Sequence, residues 1–127
     1  MKLADLDPAT MMASAELDAL VAEWMGWRLE FFPIADCWCD DAGNRRHSVL
    51  HWSPSTNPAD AGEARRKAKQ SSIRFCFAQG FIAEIEGYVS ACMLHETDGH
   101  GGRAEALATS RALAAAIKAK GKKHADS

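Results

Sequence analysis

Apolar residues recur at helical spacing near the start of the chain. Ser14 is a candidate N-cap, and the segment after it is apolar at positions i, i+3, i+4, i+7 and i+8. Those positions hold Leu17, Leu20, Val21, Trp24 and Met25. The spacing predicts an amphipathic helix that begins at Ser14 and ends at Gly26. Residues 1–13 show no such periodicity and are expected to be a flexible leader.

Two short β-favouring runs follow, on either side of a turn. Residues 36–40 and 45–52 flank the segment Asp41-Ala42-Gly43-Asn44, which is typical of a β-hairpin. Residues 27–32 are a further short strand or an extended connection. In the second run, Val49 and Leu50 lie on opposite faces of the strand. We therefore expect this strand to be covered on both sides.

The rest of the chain predicts two helices around a group of strands. A helix is expected over 58–70, with a narrow apolar stripe of alanines, and strands over 72–77, 80–86 and 88–94. A final Ala-rich helix is expected over 103–120, ended by Gly121, with a disordered tail at 122–127. The predicted fold class is α+β. Residues 14–121 would form a single helix–sheet–helix sandwich, with a mainly antiparallel sheet of about four or five strands and three helices.

Composition narrows the functional classes. A chain of 127 residues accommodates one hydrophobic core. The net charge of −2 argues against general nucleic-acid binding but leaves room for a small anionic ligand. No apolar run approaches the ~20 residues needed to span a bilayer, and the first residues do not resemble a secretory signal. We therefore expect a cytosolic protein with reduced cysteines and no membrane contact.

The segment that leads into the second helix is a candidate anion-binding corner. Pro58 suits the first helical turn, and three preceding residues are candidate N-caps. A helix N-terminus presents free N–H groups and a positive dipole end, which suit a phosphate. The expected ligand-binding residues here are Trp52, Ser53, Ser55, Thr56 and Asn57, with Arg45, Arg46 and Arg65 as cations and Trp38 as a second ring for stacking. The alternative is that this segment only caps a helix.

Two further groups could carry chemistry. Cys37 and Cys39 with His47 and His51 form a Cys₂His₂ set on one hairpin, which is a legitimate zinc combination. Half-buried thiols and edge histidines are the alternative, and no metal or other cofactor is predicted.

The second group lies on a polar, glycine-rich loop over 95–102. It contains His95, Glu96, Asp98 and His100, which could act as acid and base, bind a metal, or close over a ligand. His95 and His100 are the expected ligand contacts, and a plain solvent loop is the alternative. No motif for nucleophilic catalysis or nucleotide hydrolysis is present, so no catalytic residue is predicted.

Several short segments resemble a group of small bacteriophage proteins. These segments are 16–23 with Met25-Gly26-Trp27, then 40–44, 52–56 and the closing helix at 106–113. The group is described by a phage α-β-α (ABA) sandwich domain. The resemblance implies a helix–sheet–helix fold, a phage origin, the cytoplasm of the infected bacterium and no established enzymatic activity. Small phage proteins of this kind often counter host defence, and some sequester nucleotide immune signals.

Together these observations predict a non-enzymatic phage protein that sequesters an anionic nucleotide signal, such as a cyclic dinucleotide or an ADP-ribose derivative. A deep pocket beside Ser53–Asn57 would favour this function. The first alternative is an inhibitor or adaptor that binds a host or phage protein, which needs an exposed apolar patch. The second is a metal-dependent hydrolase that uses the loop at 95–100. A homo-oligomer is also expected, with a symmetric dimer as the default.

Overall fold

The computed structural model describes residues 11–68, 70–76 and 79–126, with side chains up to residue 119. These residues form three α-helices, six strands and one 3₁₀ turn. In chain order the elements are α1 (Ala15–Trp24), β1 (Arg28–Glu30), β2 (Cys37–Cys39), β3 (Arg45–Ser48), α2 (Pro58–Lys67), β4 (Ser71–Cys76), β5 (Gly80–Ile85), β6 (Tyr88–Met93), the 3₁₀ turn (Leu94–Thr97) and α3 (Gly101–Asp126). The α+β class is confirmed.

The first helix forms where the sequence predicted it. Ser14 Oγ accepts the backbone N–H of Leu17 at 3.2 Å and so caps α1. Gly26 has a φ of +84° and takes the chain out of the helix, a conformation that glycine adopts without strain. The apolar face of α1 is buried, since Leu17 and Val21 are fully enclosed.

β1, β2 and β3 form a small antiparallel sheet in that order. Trp38 pairs with His47 across the β2–β3 hairpin. β3 ends at Ser48 because the backbone N–H groups of His51 and Trp52 both donate to the Ser48 carbonyl and fold the chain into a turn. The prediction of a strand to residue 52 that is covered on both sides is therefore wrong. β3 is an edge strand, and the Leu50 side chain is 79% exposed.

β4, β5 and β6 form a second antiparallel sheet, with β5 in the centre. Phe75 lies opposite Phe81, and Ala83 lies opposite Ser90, so these side chains share one face. Phe77, the predicted last residue of β4, lies outside the described residues. The single sheet of four or five strands is thus two sheets of three strands each.

α3 is the central element of the core. It packs on β5 and β6 along one side and on α1 and α2 along the other. Its middle is therefore buried all round, which is typical of a core helix. The residues of α3 that are at most 2% exposed are Ala104, Ala106, Leu107, Ala108, Thr109, Ser110, Arg111, Ala112, Leu113, Ala114 and Ala116. Small side chains let the neighbouring elements approach this helix closely.

Because α1 and α2 lie behind α3, none of the described helices covers the other face of the second sheet. Val89 on that face is 57% exposed, and Arg74 and Glu84 are exposed as well. The prediction of a sandwich with helices on both faces of one sheet is therefore matched only in part. The order of layers is sheet, central helix, then a pair of helices.

The predicted chain ends also differ in part. Met11, placed in the leader, is buried, and its carbonyl accepts a hydrogen bond from Arg111 Nε at 2.8 Å. Residues 1–10 lie outside the described residues. α2 ends at Lys67 rather than residue 70, and α3 continues past Gly121, where the sequence predicted its end, to Asp126. The last residue, 127, is not described.

Candidate functional site

The corner at Ser53–Asn57 holds the N-terminus of α2. Asn57 is the N-cap, since its Oδ1 accepts the backbone N–H of Ala59 at 2.9 Å. Thr56 is exposed, and its hydroxyl donates to the Ser53 carbonyl at 3.3 Å. The local capping that the sequence indicated is present.

The other polar groups of the corner already have partners within the protein. Ser55 is 1% exposed; its backbone N–H donates to Asp18 Oδ1 at 2.8 Å, and its Oγ accepts the backbone N–H of Ser14 at 3.3 Å. The backbone N–H of Ser53 donates to Asp60 Oδ2 at 3.1 Å. Two carboxylates therefore lie where a phosphate was expected. The corner is a joint between α1 and α2.

The electrostatics of this contact between α1 and α2 also disfavour a bound phosphate. Burial raises the pKa of Asp18, and the nearby Asp60 carboxylate raises it further, whereas the hydrogen bonds from Ser55 lower it. Buried negative charge is thus already costly at this place. A bound phosphate would add to it.

The tryptophans expected to stack on a base are core residues. Trp52 is 3% exposed, and its Nε1 donates to the Asp18 carbonyl at 3.0 Å. Trp38 is 8% exposed. Trp52 instead belongs to an aromatic group in which its ring centroid lies 4.8 Å from Trp27 and 4.7 Å from His47.

The three predicted arginines lie in three different places. Arg65 joins α2 to α3, with Nη2 at 3.0 Å from Glu105 Oε1 and Nη1 donating to Thr109 Oγ1 at 3.0 Å. The guanidinium of Arg45 lies 3.9 Å from the centre of the Phe32 ring. Arg46 lines an open cleft.

This cleft, of about 700 Å³, lies between the β2–β3 turn, the end of α1 and the last turns of α2. Its volume lies within the range of ligand pockets in proteins, roughly 300–1,000 Å³. The cleft is lined by Met25, Gly26, Trp27, Asp40, Asp41, Ala42, Arg46, His47, Glu63 and Lys67.

The cleft holds three carboxylates, two cations and one histidine, and most of these groups are paired. Arg46 contacts Asp40 Oδ2 through Nε at 2.9 Å and Nη2 at 2.8 Å. His47 Nε2 lies 3.1 Å from Glu63 Oε1, and Lys67 Nζ donates to the Met25 carbonyl at the end of α1. Several N–H donors remain, because a guanidinium has five and an ammonium three.

Asp40 is held mainly by its own turn. The backbone N–H of Asn44 donates to its Oδ1 at 2.9 Å, and that of Ala42 does so at 3.0 Å. These bonds, with Arg46, hold the pKa of Asp40 below its usual range. Asp40 therefore carries a stable negative charge that orients Arg46 at the rim of the cleft.

Sequence reasoning included Arg46 but missed Trp27, Glu63 and Lys67. Glu63 and Lys67 are four residues apart on α2, so they lie on one helix face, and that spacing was the available signal. The residues that line the cleft with them come from the hairpin and from the end of α1. Only the folded chain brings these segments together.

The loop after β6 is more ordered than the sequence predicted. Glu96 accepts the backbone N–H of Met93 at 2.8 Å and contacts Arg111 Nη2 at 3.1 Å. Both interactions lower the pKa of Glu96, the first more than the second, so its carboxylate has a structural role. His100 Nδ1 accepts the backbone N–H of Arg103 at 3.3 Å at the start of α3. His95 is exposed, and neither histidine lines the cleft.

The strand register excludes the alternative of a Cys₂His₂ zinc site on the hairpin. Cys37 pairs with Ser48, whereas His47 pairs with Trp38, so the thiols and the His47 ring lie on opposite faces of the hairpin. His51 lies beyond the end of β3. Among the described residues, no three histidine, cysteine or acidic side chains converge on a metal position. All four cysteines are free thiols.

Sequence reasoning also missed an exposed apolar surface at the end of the first sheet that lies away from the cleft. The last paired row of that sheet is Glu30, Cys37 and Ser48, and the chain beyond each strand end is apolar. The backbone N–H of Val49 donates to the Asp36 carbonyl at 2.9 Å and keeps these segments adjacent. The exposed residues there, called the apolar end below, are Leu29 (39%), Phe31 (78%), Ile34 (99%), Val49 (39%) and Leu50 (79%).

Comparison with known proteins gave no match to a family model, a curated protein or a solved structure. The resemblance to small phage proteins therefore stays a prediction. Within the described part of the chain, no helix has the length and apolarity needed to cross a bilayer.

Proposed function

We propose that this chain is a non-enzymatic binding protein whose ligand, a small anionic nucleotide-like molecule, binds in the cleft. The observation that carries the proposal is the position of Arg46 and Lys67 at one cleft that also has an aromatic wall at Trp27. Each of these cations has N–H donors that its internal partner does not use.

The mixed charge of the cleft favours a nucleotide over a simple phosphate. Remaining donors of Arg46 and Lys67 suit phosphate oxygens. Carboxylate oxygens at Asp41 and Glu63 suit the N–H groups on the edge of a base. A nucleotide carries both kinds of group on one small frame, whereas inorganic phosphate meets the carboxylates without any compensating contact.

A role without catalysis is proposed because internal partners already hold two of the three acidic groups of the cleft, Asp40 and Glu63. Asp40 is fixed by its turn and by Arg46, and Glu63 lies within ion-pair distance of His47. A general base needs access to a substrate proton, and these contacts limit that access.

The finer form of the proposal rests on the resemblance to phage proteins. In that form the ligand is a cyclic dinucleotide or an ADP-ribose derivative of host immunity, and the protein sequesters it in the cytoplasm of the infected cell. Its physical support is the chemistry of the cleft.

Calorimetry with cyclic dinucleotides and ADP-ribose tests the proposal. We expect binding at micromolar Kd or tighter, and chromatography should return the ligand unchanged. Arg46→Gln should weaken binding by at least about tenfold, since it removes a phosphate contact. Arg28→Gln is the matched control, because Arg28 also forms an exposed ion pair, with Glu30, but does not line the cleft.

The proposal fails if no member of the panel binds at micromolar concentration. It also fails if Arg46→Gln and Arg28→Gln bind equally well. A chemically altered ligand would contradict the non-enzymatic part alone.

A second candidate is an inhibitor or adaptor that binds a protein, and the apolar end favours it. Monomeric proteins rarely expose several large apolar side chains together without a partner. To test this, a photo-crosslinker placed at Phe31 would identify a partner, which is then purified. Ile34→Ser/Leu50→Ser should weaken its binding by at least about tenfold, whereas Arg46→Gln should leave it unchanged. The opposite pattern would reject this candidate.

A further inference from the structure

One face of the second sheet, which no described element covers, combines apolar and charged side chains. We call it the outer face, and α3 covers the opposite face. Its charged members are Arg74 on the edge strand β4 and Glu84 near the end of the central strand β5. The apolar members of the outer face are Cys76, Ile82, Val89, Ala91 and Met93, of which Val89 is the most exposed large side chain.

Arg74 and Glu84 lie close together but have no ion-pair partner among the described residues. Arg74 is opposite Ile82, and Glu84 is opposite Ser72, so the two charges are diagonal neighbours. Strand spacing and rise place their Cα atoms about 8 Å apart. The outer face thus carries one positive and one negative side chain, and an axis midway between them is equally distant from both.

A small polar hollow lies beside the negative site. It measures about 230 Å³ and is lined by Gln70, Ser71, Ser72 and Glu84. The Gln70, Ser72 and Glu84 side chains present oxygen acceptors there, whereas the Ser71 hydroxyl donates to the Arg65 carbonyl on the other side of the sheet. A guanidinium entering this hollow would meet a carboxylate together with neutral acceptors, which suits its several N–H donors.

We propose that a second copy of this chain covers the outer face, with each Arg74 entering the hollow beside the partner copy's Glu84. A two-fold axis that lies between the two sheets and passes midway between the two charges places Arg74 of each copy opposite Glu84 of the other. The dimer then contains two such ion pairs. The same rotation places Val89 of each copy over the β4 edge of the other copy, close to Cys76. Such an isologous contact is the commonest way in which identical chains associate.

The size of the outer face limits the expected affinity of the dimer. Three strands of six residues give a surface about 14 Å by 20 Å, which is small for a protein interface. We therefore expect a weak, reversible dimer that becomes populated only at high micromolar concentration. The two ion pairs fix its register more than its affinity.

Sedimentation velocity over a concentration series tests the proposal with charge reversals. Wild type should shift from monomer to dimer in the high micromolar range. Arg74→Glu and Glu84→Arg should each raise the dimer Kd by at least about tenfold, because each sets like charges against one another twice. Arg103→Glu, an exposed reversal on α3, is the matched control and should dimerise normally.

Mixing the two single variants gives the sharpest result. Arg74→Glu supplies two glutamates and Glu84→Arg two arginines, so a mixed pair restores both attractions, and a heterodimer should form. The double variant Arg74→Glu/Glu84→Arg should also dimerise. Circular dichroism verifies that every variant is folded.

Three results would overturn the proposal. The first is a wild-type chain that stays monomeric throughout the micromolar range. The second is a dimer that survives both single reversals, which would place the contact elsewhere, such as the apolar end. The third is a folded pair of monomeric variants that do not associate when mixed.

Discussion

Asp18 Oδ1 accepts the backbone N–H of Ser55 at 2.8 Å and joins the first helix to the entrance of the second. This contact puts a carboxylate at the place where the sequence indicated a phosphate. A cap motif shows that free N–H groups exist at a helix start. It does not show which distant side chain reaches them.

The Asp18–Ser55 contact predicts different effects for two substitutions at position 18. Asp18→Asn keeps an acceptor oxygen for the buried N–H, so the free energy of unfolding at neutral pH should change by less than about 1 kcal/mol. Asp18→Ala leaves that N–H unpaired and should cost about 1–3 kcal/mol. Urea unfolding measures both. Equal losses for the two variants would contradict the structural role of this contact.

The pKa of Glu96 predicts how acid acts on stability. Because hydrogen bonds lower this pKa from 4.5, the folded protein binds fewer protons than the unfolded chain. The resulting stabilisation of the folded state is present above pH 4.5. It is lost as the pH falls from there through the lowered, folded-state pKa. Glu96→Gln should therefore make the free energy of unfolding depend less on pH in the acid range. It should also lower the free energy of unfolding at neutral pH.

Asp40, whose pKa is also lowered, keeps some acid dependence in the Glu96→Gln variant. Glu23→Gln, an exposed change on α1, serves as the control and should alter unfolding by no more than about 0.5 kcal/mol. Urea unfolding at several pH values gives these profiles. A Glu96→Gln profile parallel to that of wild type would reject the contacts of Glu96 with Met93 and Arg111.

The thiols should divide into two reactivity classes. Cys39 and Cys92 are almost fully enclosed, and burial raises the pKa of Cys92 to about 11, so little reactive thiolate forms at about pH 8. Cys37 and Cys76 are half-buried and should react with iodoacetamide first. Peptide mass spectrometry follows each site. If Cys92 reacts as fast as Cys76 in the folded protein, the packing of β6 on α3 is wrong.

The sequence predicted local structure better than it predicted arrangement. Helical spacing and a serine cap identified α1, and the three candidate caps before Pro58 identified the start of α2, because these signals act between residues close in the chain. The central position of α3 was not foreseen. Its alanines fit both a one-sided surface helix and a helix enclosed on all sides, and only tertiary packing distinguishes the two.

The candidate site was harder to predict for the same reason. Arg46 was included because a cation beside a turn is visible in the sequence. Trp27 and Lys67 come from segments far apart in the chain, and the cleft exists only where their elements meet. The exposure of Ile34 likewise depends on where the first sheet ends rather than on the local sequence.

Indole N–H signals locate a ligand in the cleft most directly. The chain has four tryptophans, of which only Trp27 lines the cleft, while Trp24 serves as the internal control. In ¹⁵N-labelled protein titrated with cyclic di-AMP or ADP-ribose, the Trp27 signal, assigned with Trp27→Phe, should shift first and furthest. Trp52, which contacts Trp27, and Trp38, which lies opposite His47, should follow with smaller shifts, and Trp24 should stay in place. Unchanged indole signals with both ligands, or shifts that leave Trp27 unaffected, would contradict a nucleotide site in the cleft.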